Sequence, residues 1–397
     1  MPFDASFTSD QEAFRDAARA FLERVVAPVV PEMDEREEFP AASVRALQQE
    51  GYFGVPVPET YGGLGLGKVG YCILLEEMGR IDASHATILG AHTSLGTTPL
   101  LSFGTEEQKR RWLTPAAKGE RLLAFSLTEA VSGSDSGALH TLAEKQGDGW
   151  SLTGTKLYVS NGAEADTVVL FAATNAKLGP NGGVTAFLVD KGTPGFRVGR
   201  LEKKMGLHGT STAELILDHV ELGPEHVLGE VGRGFIVAMT ALDVGRVSLG
   251  ASMLGGIGQA MADAAKFAGQ RSQFGLPISE FQAVQFKLAD MAMHEHALRQ
   301  MVYQAAAHQD RMGTDPAQWS RADRARKARE SATVKCLASE WGVRAISDAL
   351  QIHGGLGYIR GTPIERAYRD VRITEIFEGT NEIQRLVVAR DVLTRGS

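Results

Sequence analysis

The chain has 397 residues, 43% hydrophobic and 22% charged, enough material for two or three domains with substantial cores. Lys and Arg total 41 against 48 Asp and Glu, a formal net charge of −7. Bulk attraction to nucleic acid or an anionic membrane is thereby excluded, and any polyanion must meet a local basic pocket. The two cysteines, Cys72 and Cys336, form no C-x-x-C, which argues against a disulfide framework or zinc ribbon and suits a reducing compartment. No basic segment followed by an apolar run opens the chain, and no stretch reaches the roughly 18 consecutive apolar residues of a membrane span. The expectation is a cytoplasmic protein without a membrane span.

The first 121 residues read as helical. Ser9-Asp10-Gln11-Glu12 is a capping-box pattern leading into Phe14, Ala17, Ala18, Phe21, Leu22 and Val25 at helical spacing. Thr105 to Gln108 repeats that start signal before Trp112, and Gly62 to Gly67 forms a glycine-rich turn between helical segments. From Leu122 the pattern changes to short β-rich runs at Leu122–Leu127, Trp150–Thr153, Thr167–Ala172, Val184–Val189 and Glu214–Val220. These predict a middle domain of antiparallel strands over 122–232. Over 233–397 the chain returns to long Ala-, Met- and Leu-rich helical segments, broken near Gly275–Ser279, Gly313–Pro316 and Gly354–Pro363. Helices, then strands, then helices predict an α+β fold in separate layers, with no alternating βαβ units.

Several local patterns are better read as structure than as chemistry. Gly65 to Gly70 satisfies G-x-G-x-x-G, but Pro56 and Pro58 argue against the preceding strand that a dinucleotide site needs. The near P-loop at Gly62–Lys68 has Val69 where Ser or Thr is required. His294 and His296 diverge by about 200° on a helix, so no metal site is expected. The run Arg321, Arg324, Arg326, Lys327, Arg329, interleaved with Asp323 and Glu330, reads as a solvated helix face.

The segment that can carry chemistry is Ile376-Phe377-Glu378-Gly379-Thr380-Asn381-Glu382-Ile383-Gln384-Arg385. Thr380 is a plausible N-cap for a final helix with Ile383, Leu386 and Val387 on one face. Glu378 then lies just ahead of that helix beside apolar neighbours. A desolvated carboxylate there rises from about 4.3 toward the neutral range useful to a general base.

This segment resembles the signature of the acyl-CoA dehydrogenase family, and the resemblance runs in order along essentially the whole chain. It includes Pro58-Glu59-Thr60-Tyr61-Gly62-Gly63-Leu64-Gly65, Phe103 to Lys109, Leu127-Thr128-Glu129 followed by Ser132-Gly133-Ser134-Asp135, and Gly154 to Gly162. Lys204-Met205-Gly206-Leu207, Arg271-Ser272-Gln273-Phe274-Gly275 and Gln351-Ile352-His353-Gly354-Gly355-Leu356-Gly357-Tyr358 follow. Each match is weak alone; the ordered set is specific.

The resemblance implies an N-terminal helical domain, a β-domain, a C-terminal four-helix bundle, and FAD held between the last two in a homotetramer. It assigns Leu127, Thr128, Ser134, Tyr158 and Ser160 to the flavin side, with Thr380 and Glu382 at the start of the last helix. It places Arg271, Gln273, Phe274, Gln351 and Gly355 against the FAD of a neighbouring subunit. Ser134, Leu242, Asp243, Arg246, Phe377 and Gly379 would meet the acyl-CoA substrate, with Glu378 as the base. The reaction implied is α,β-dehydrogenation to trans-2-enoyl-CoA, the electrons passing to an electron-transferring flavoprotein.

Some members of the family carry the base just before the Arg of Asp-x-x-Arg; here that position, in Asp243-Val244-Gly245-Arg246, is Gly245, which leaves Glu378. The chain departs from the family at Ala130 and Val131, where Pro and Gly are usual, and at Tyr158, where Trp is common. Ile81 to Thr98 holds no Arg or Lys, and Ala86 stands where glutaryl-type relatives carry an Arg, so a saturated, uncharged short- to medium-chain or branched acyl group is expected rather than a dicarboxylate. His85 and His92 are the only cation candidates nearby and read as neutral packed side chains. Gly90, Ala91 and Gly96 either leave room for a longer or branched tail or serve close helix packing. Competing functions are an acyl-CoA oxidase or other flavoenzyme on the same scaffold, and a non-catalytic flavin- or CoA-binding protein.

Overall fold

A computed structural model of the chain describes residues 7–395. Helix α1 (Ser9–Val25) begins at a capping box one residue ahead of the expected one. The Thr8 hydroxyl accepts from the Gln11 N–H, and the Gln11 side chain returns to the Thr8 N–H. Ser9 is already the first helical residue. The glycine-rich turn feeds α2 (Gly67–Ile81), and its place in the fold explains the false phosphate motif. The N–H groups of Lys68 and Val69 donate to Asp310, at 2.6 and 3.0 Å, so a carboxylate of the chain itself fills the anion position at this helix start.

Asp82 caps α3 (Ala83–Gly90) by accepting from the His85 N–H at 2.8 Å. The helix then widens into a π-helical stretch, Ala91–Thr97, of the kind that often marks a functional site.

The middle domain is one eight-stranded sheet in the order β6-β7-β3-β2-β4-β5-β8, with β1 beside β4. The strands are β1 (Leu123–Ser126), β2 (Leu142–Gln146), β3 (Gly149–Ser160), β4 (Thr167–Ala173), β5 (Val184–Asp190), β6 (Phe196–Leu201), β7 (Thr212–Leu222) and β8 (Val227–Leu228). It is mixed rather than wholly antiparallel: β1 and β2 both run parallel to β4. The long segment between β1 and β2, residues 127–141, allows that return, and it carries Leu127, Thr128 and Ser134.

Four long helices form the C-terminal bundle: α4 (Gly234–Gln270), α5 (Gln282–Met312), α6 (Arg321–His353) and, after the short α7 (Pro363–Val371), α8 (Asn381–Arg395). By length and composition α4 is apolar enough to cross a membrane, but here it is the bundle's central helix, mostly buried by its neighbours. One apolar cluster unites residues of α1, α2, α4, α5 and α6, so the two helical domains share a core. A second joins the sheet to the first turns of α4, through Leu123, Val169, Leu188, Val237 and Leu242.

The basic run at the start of α6 is not uniformly solvated. Arg321 and Arg324 are exposed, but Lys327 is buried, its Nζ 3.3 Å from the Thr240 carbonyl and 4.5 Å from the Trp319 ring centre. Its helical phase matches the buried Ser331 and Val334, which turns this one cation inward.

Candidate active site

A cavity of about 800 Å³ opens where the sheet, α3, α4 and the segment before α8 meet. Of the residues assigned from the sequence, it gathers Leu127, Thr128, Ser134, Tyr158, Ser160, Leu242, Asp243, Arg246, Phe377, Glu378, Gly379 and Thr380. Leu127 and Thr128 follow directly from β1. Tyr158 and Ser160 come from the end of β3, where Tyr158 has a left-handed φ of 58° and is 62% exposed.

Glu378 is the centre of the arrangement. It stands in a turn after α7 with φ 56°, a conformation uncommon outside glycine, followed by Gly379 at φ 86°. Surrounding side chains hold this turn in place. Arg246 Nε donates to the Glu378 carbonyl at 3.1 Å, Gln384 Nε2 donates to the carbonyls of Glu378 and Gly379 at 3.2 and 3.0 Å, and Lys335 Nζ donates to the Gly379 carbonyl at 2.8 Å. Strain retained by this many contacts is characteristic of functional positions.

The carboxylate itself is left free. Glu378 Oε2 is buried and has no hydrogen-bond partner among the described residues. Desolvation pushes its carboxyl up to about 7, against the opposing pull of Arg246 and Lys335. Gly245 makes room for it: a Cβ there would stand 2.6 Å from Oε2. A half-buried carboxylate with one buried, partnerless oxygen, titrating near neutrality, suits proton abstraction.

Arg246 is not a surface ion pair; it is 5% exposed, with Nη1 3.2 Å from Asp243 Oδ1. Burial raises the Asp243 carboxyl while Lys327 and Arg246 counter it. Lys335 and Gln384 were not among the residues singled out from the sequence. Lys335 is wholly buried, also bonds Asn381 Oδ1 at 2.8 Å, and is pulled by desolvation down to about 8. Its signal was available: it lies one helical turn from the buried Ser331 and Ser339 on α6.

The segment that follows β1 is braced by a second buried pair. Lys156 Nζ reaches Glu129 Oε1 at 2.6 Å and the Leu127 carbonyl at 3.1 Å, while Glu129 accepts from the N–H groups of His140 and Thr141. These contacts fix the 127–141 segment beside the cavity.

The remaining assigned residues lie elsewhere. Arg271, Gln273, Phe274, Gln351, Gly355 and Glu382 are all exposed and outside the cavity; Phe274 is 95% exposed. Five of them share one end of the bundle, where Phe267 near the end of α4 stacks on His353 at the end of α6, ring centres 4.6 Å apart. Glu382 stands in the first turn of α8.

The cavity fits a bulky, partly polar cofactor lying beside a thioester. One wall carries the hydroxyls of Thr128, Ser134 and Ser160, the others are largely apolar, and Thr380 opens a 15-residue helix whose N-terminus suits a phosphate-bearing ligand. Ile383 donates its N–H to the Thr380 hydroxyl at 3.4 Å, so Thr380 caps that helix as expected.

The fold and this site define an acyl-CoA dehydrogenase, and comparison with known proteins agrees along the whole chain. The family models for the acyl-CoA dehydrogenase N-terminal, middle and C-terminal domains match residues 8–120, 124–220 and 232–393. The chain is 42% identical to an acyl-CoA dehydrogenase of Bacillus subtilis, over 97% of this chain and 98% of that protein. It is 41% identical to a 3-(aryl)acrylate reductase of Clostridium sporogenes, covering 98% and 99% of the two chains. The solved structure of butyryl-CoA dehydrogenase from Megasphaera elsdenii is similar at TM-score 0.92 and 38% identity, over 98% of this chain and all of that one. The chain belongs to the acyl-CoA dehydrogenase family, FAD-dependent oxidoreductases.

Proposed function

We propose that this protein oxidises a saturated, uncharged acyl-CoA to its trans-2-enoyl thioester, with Glu378 taking the α-proton. The observation that carries this reading is the buried, partnerless Glu378 Oε2, raised to about 7 in a cavity lined by the flavin-side residues.

The chain's own groups divide the work. Arg246 and Gln384 hold the Glu378 carbonyl, so the side chain leaves the turn in one direction. The Glu378 N–H has no partner among the described residues and is available to the thioester oxygen, where charge gathers as the α-proton leaves. Leu127, Thr128, Ser134, Tyr158, Ser160 and Thr380 would hold the flavin within the same subunit, and Arg271, Gln273, Phe274, Gln351 and Gly355 would reach that of a neighbour in a homotetramer. Bound FAD supplies a two-electron acceptor for the β-hydrogen, and an electron-transferring flavoprotein is the expected onward carrier.

The α3 segment contributes no Arg or Lys to the cavity, whose two lining arginines are Arg246, held by Asp243 and the Glu378 carbonyl, and Arg390 on α8. Ala86 lines the cavity, whereas His85 and His92 do not. The His92 Nδ1 accepts from the Leu123 N–H at 3.0 Å, and burial lowers that ring to about 3, so it is neutral. His85 is engaged by Asp82 and Ser43, each at 2.7 Å.

The test is anaerobic bleaching of the flavin band by a panel of acyl-CoAs, with wild type beside Glu378→Gln. The amide keeps the shape and loses the base, so bleaching should slow by about 10²–10⁴-fold while FAD stays bound. Wild-type rates in Glu378→Gln would refute the assignment, and faster bleaching by glutaryl-CoA than by butyryl- or octanoyl-CoA would refute the uncharged pocket.

A further inference from the structure

Three small residues in the helical segment over the cavity, Gly90, Ala91 and Gly96, have two readings: close packing, or space for the acyl tail. The structure separates them. A Cβ at Gly96 would stand 2.5 Å from Leu123, so that glycine serves packing. Gly79 and Gly255, at the α2–α4 contact, are of the same kind, their added Cβ atoms falling 2.1 and 1.9 Å from backbone oxygens. Gly90 differs. It lines the cavity, and a Cβ there meets nothing within 4 Å. Glycine is among the least helix-stabilising residues, and here no neighbour presses on the missing side chain, so what it provides is open space.

That space lies beyond the base. Glu378 stands against Gly245 on α4, and the Ser94 and Ser248 hydroxyls, 2.8 Å apart, set the register of the two helical walls just past it. Farther along, Gly90 and Thr87 line one side of the cavity, while Leu249, Ser252 and Met253 line the other. From Gly245 to Ser252 is about 10 Å of helix. Past Arg246, which is held by Asp243 and the Glu378 carbonyl, these lining residues are short or apolar, and the unbranched Met253 side chain adapts to what it faces.

We infer that the acyl channel of this enzyme is built for a tail longer than four carbons and that Gly90 is its specificity-determining position. The inference rests on the acyl-CoA reading above and goes beyond it, since similarity to butyryl-CoA dehydrogenase would by itself suggest a channel ending near four carbons. The channel is continuous with the site of proton abstraction, so a longer tail adds apolar burial without moving the α-carbon from Glu378.

The experiment compares kcat/KM of the FAD-loaded enzyme for butyryl-, hexanoyl-, octanoyl- and decanoyl-CoA with the same series for Gly90→Leu. Wild type should use octanoyl-CoA at least as well as butyryl-CoA. Gly90→Leu should lower the octanoyl-to-butyryl ratio at least tenfold, and an unchanged melting temperature would show that the added side chain fits the fold. Wild type preferring butyryl-CoA by more than tenfold would overturn the inference while leaving the reaction intact, as would an unaltered ratio in Gly90→Leu. Failure of every acyl-CoA to bleach the flavin would instead overturn the reading of the reaction on which it rests.

Discussion

Gly245 and Glu378 face each other so closely that a single methyl group on the glycine would come within 2.6 Å of the carboxylate oxygen. The proposed base of this site is therefore a pair of positions: one supplies the carboxylate, and the other supplies the space in which it sits.

This relationship predicts that Gly245→Ala is a catalytic lesion without a helix defect. Alanine improves helix propensity in α4 by up to about 1 kcal/mol, so the bundle should not weaken. The methyl must push Glu378 aside, and a displacement of about 1 Å can cost on the order of 10²-fold in rate. Stopped-flow flavin bleaching together with a melting curve checks this. A stable variant with wild-type bleaching would mean that the carboxylate need not occupy the observed position.

The neutral pKa of Glu378 predicts opposite pH trends for activity and stability. Activity needs the ionised carboxylate, so kcat/KM should climb with pH and level off above about 7. Stability runs the other way. The folded chain holds this proton up to about 7, whereas the unfolded chain releases it near the ordinary value of 4.5. The unfolded state therefore binds fewer protons across that window, and the carboxylate's contribution to stability falls as pH rises through it. Above pH 7 the penalty should be on the order of 2–3 kcal/mol. Glu378→Gln removes it, so the variant should melt above wild type at pH 8, with the gap closing toward pH 5. A constant gap across that range would contradict the shifted titration.

Lys335 offers an independent check on the same group. Its positive charge holds the Glu378 carboxyl down, so Lys335→Met should move the activity limb to higher pH. Gln384 still reaches the Gly379 carbonyl and Ser339 still reaches Asn381, so the fold keeps partners for both acceptors. The stability cost should be about 1–3 kcal/mol. A merely structural lysine would lower the melting temperature and leave the pH profile where it was.

How much of this was legible in the sequence depends on what each feature required. Thr380 and Glu378 were readable because a cap and an apolar neighbourhood are local patterns, and the ordered motifs supplied the rest. The cap of α1 was misplaced by one residue because Thr8–Gln11 and Ser9–Glu12 both satisfy the rule, and only the backbone decides which box closes. Strands β2 and β6 escaped notice because they lie at exposed parts of the sheet, with little of the alternating burial on which strand recognition depends. Lys327 and Lys335 look like surface cations by composition, and their burial follows from α6 facing α4 and the Glu378 turn, a tertiary fact. The parallel pairing of β1 and β2 with β4 is likewise invisible until the chain's return path is known.

The assigned residues outside the cavity lead to the last prediction. Arg271, Gln273 and Phe274 form an exposed hairpin edge after α4, and Gln351 and Gly355 stand at the neighbouring end of α6, yet the family resemblance implies a role for them in cofactor binding. An aromatic side chain 95% exposed, beside an Arg that forms no ion pair among the described residues, is an unusual surface for an isolated chain. Both observations are met if this end of the bundle packs on a second copy and Arg271 neutralises a phosphate of the flavin held there. Arg271→Ala should then lose FAD and weaken the assembly together, and adding excess FAD should recover part of both. Size-exclusion chromatography with light scattering, read beside the flavin-to-protein ratio, measures the two at once. A fully flavinylated variant of unchanged mass would place Arg271 outside the cofactor site, and loss of FAD from an intact assembly would separate cofactor binding from subunit contact.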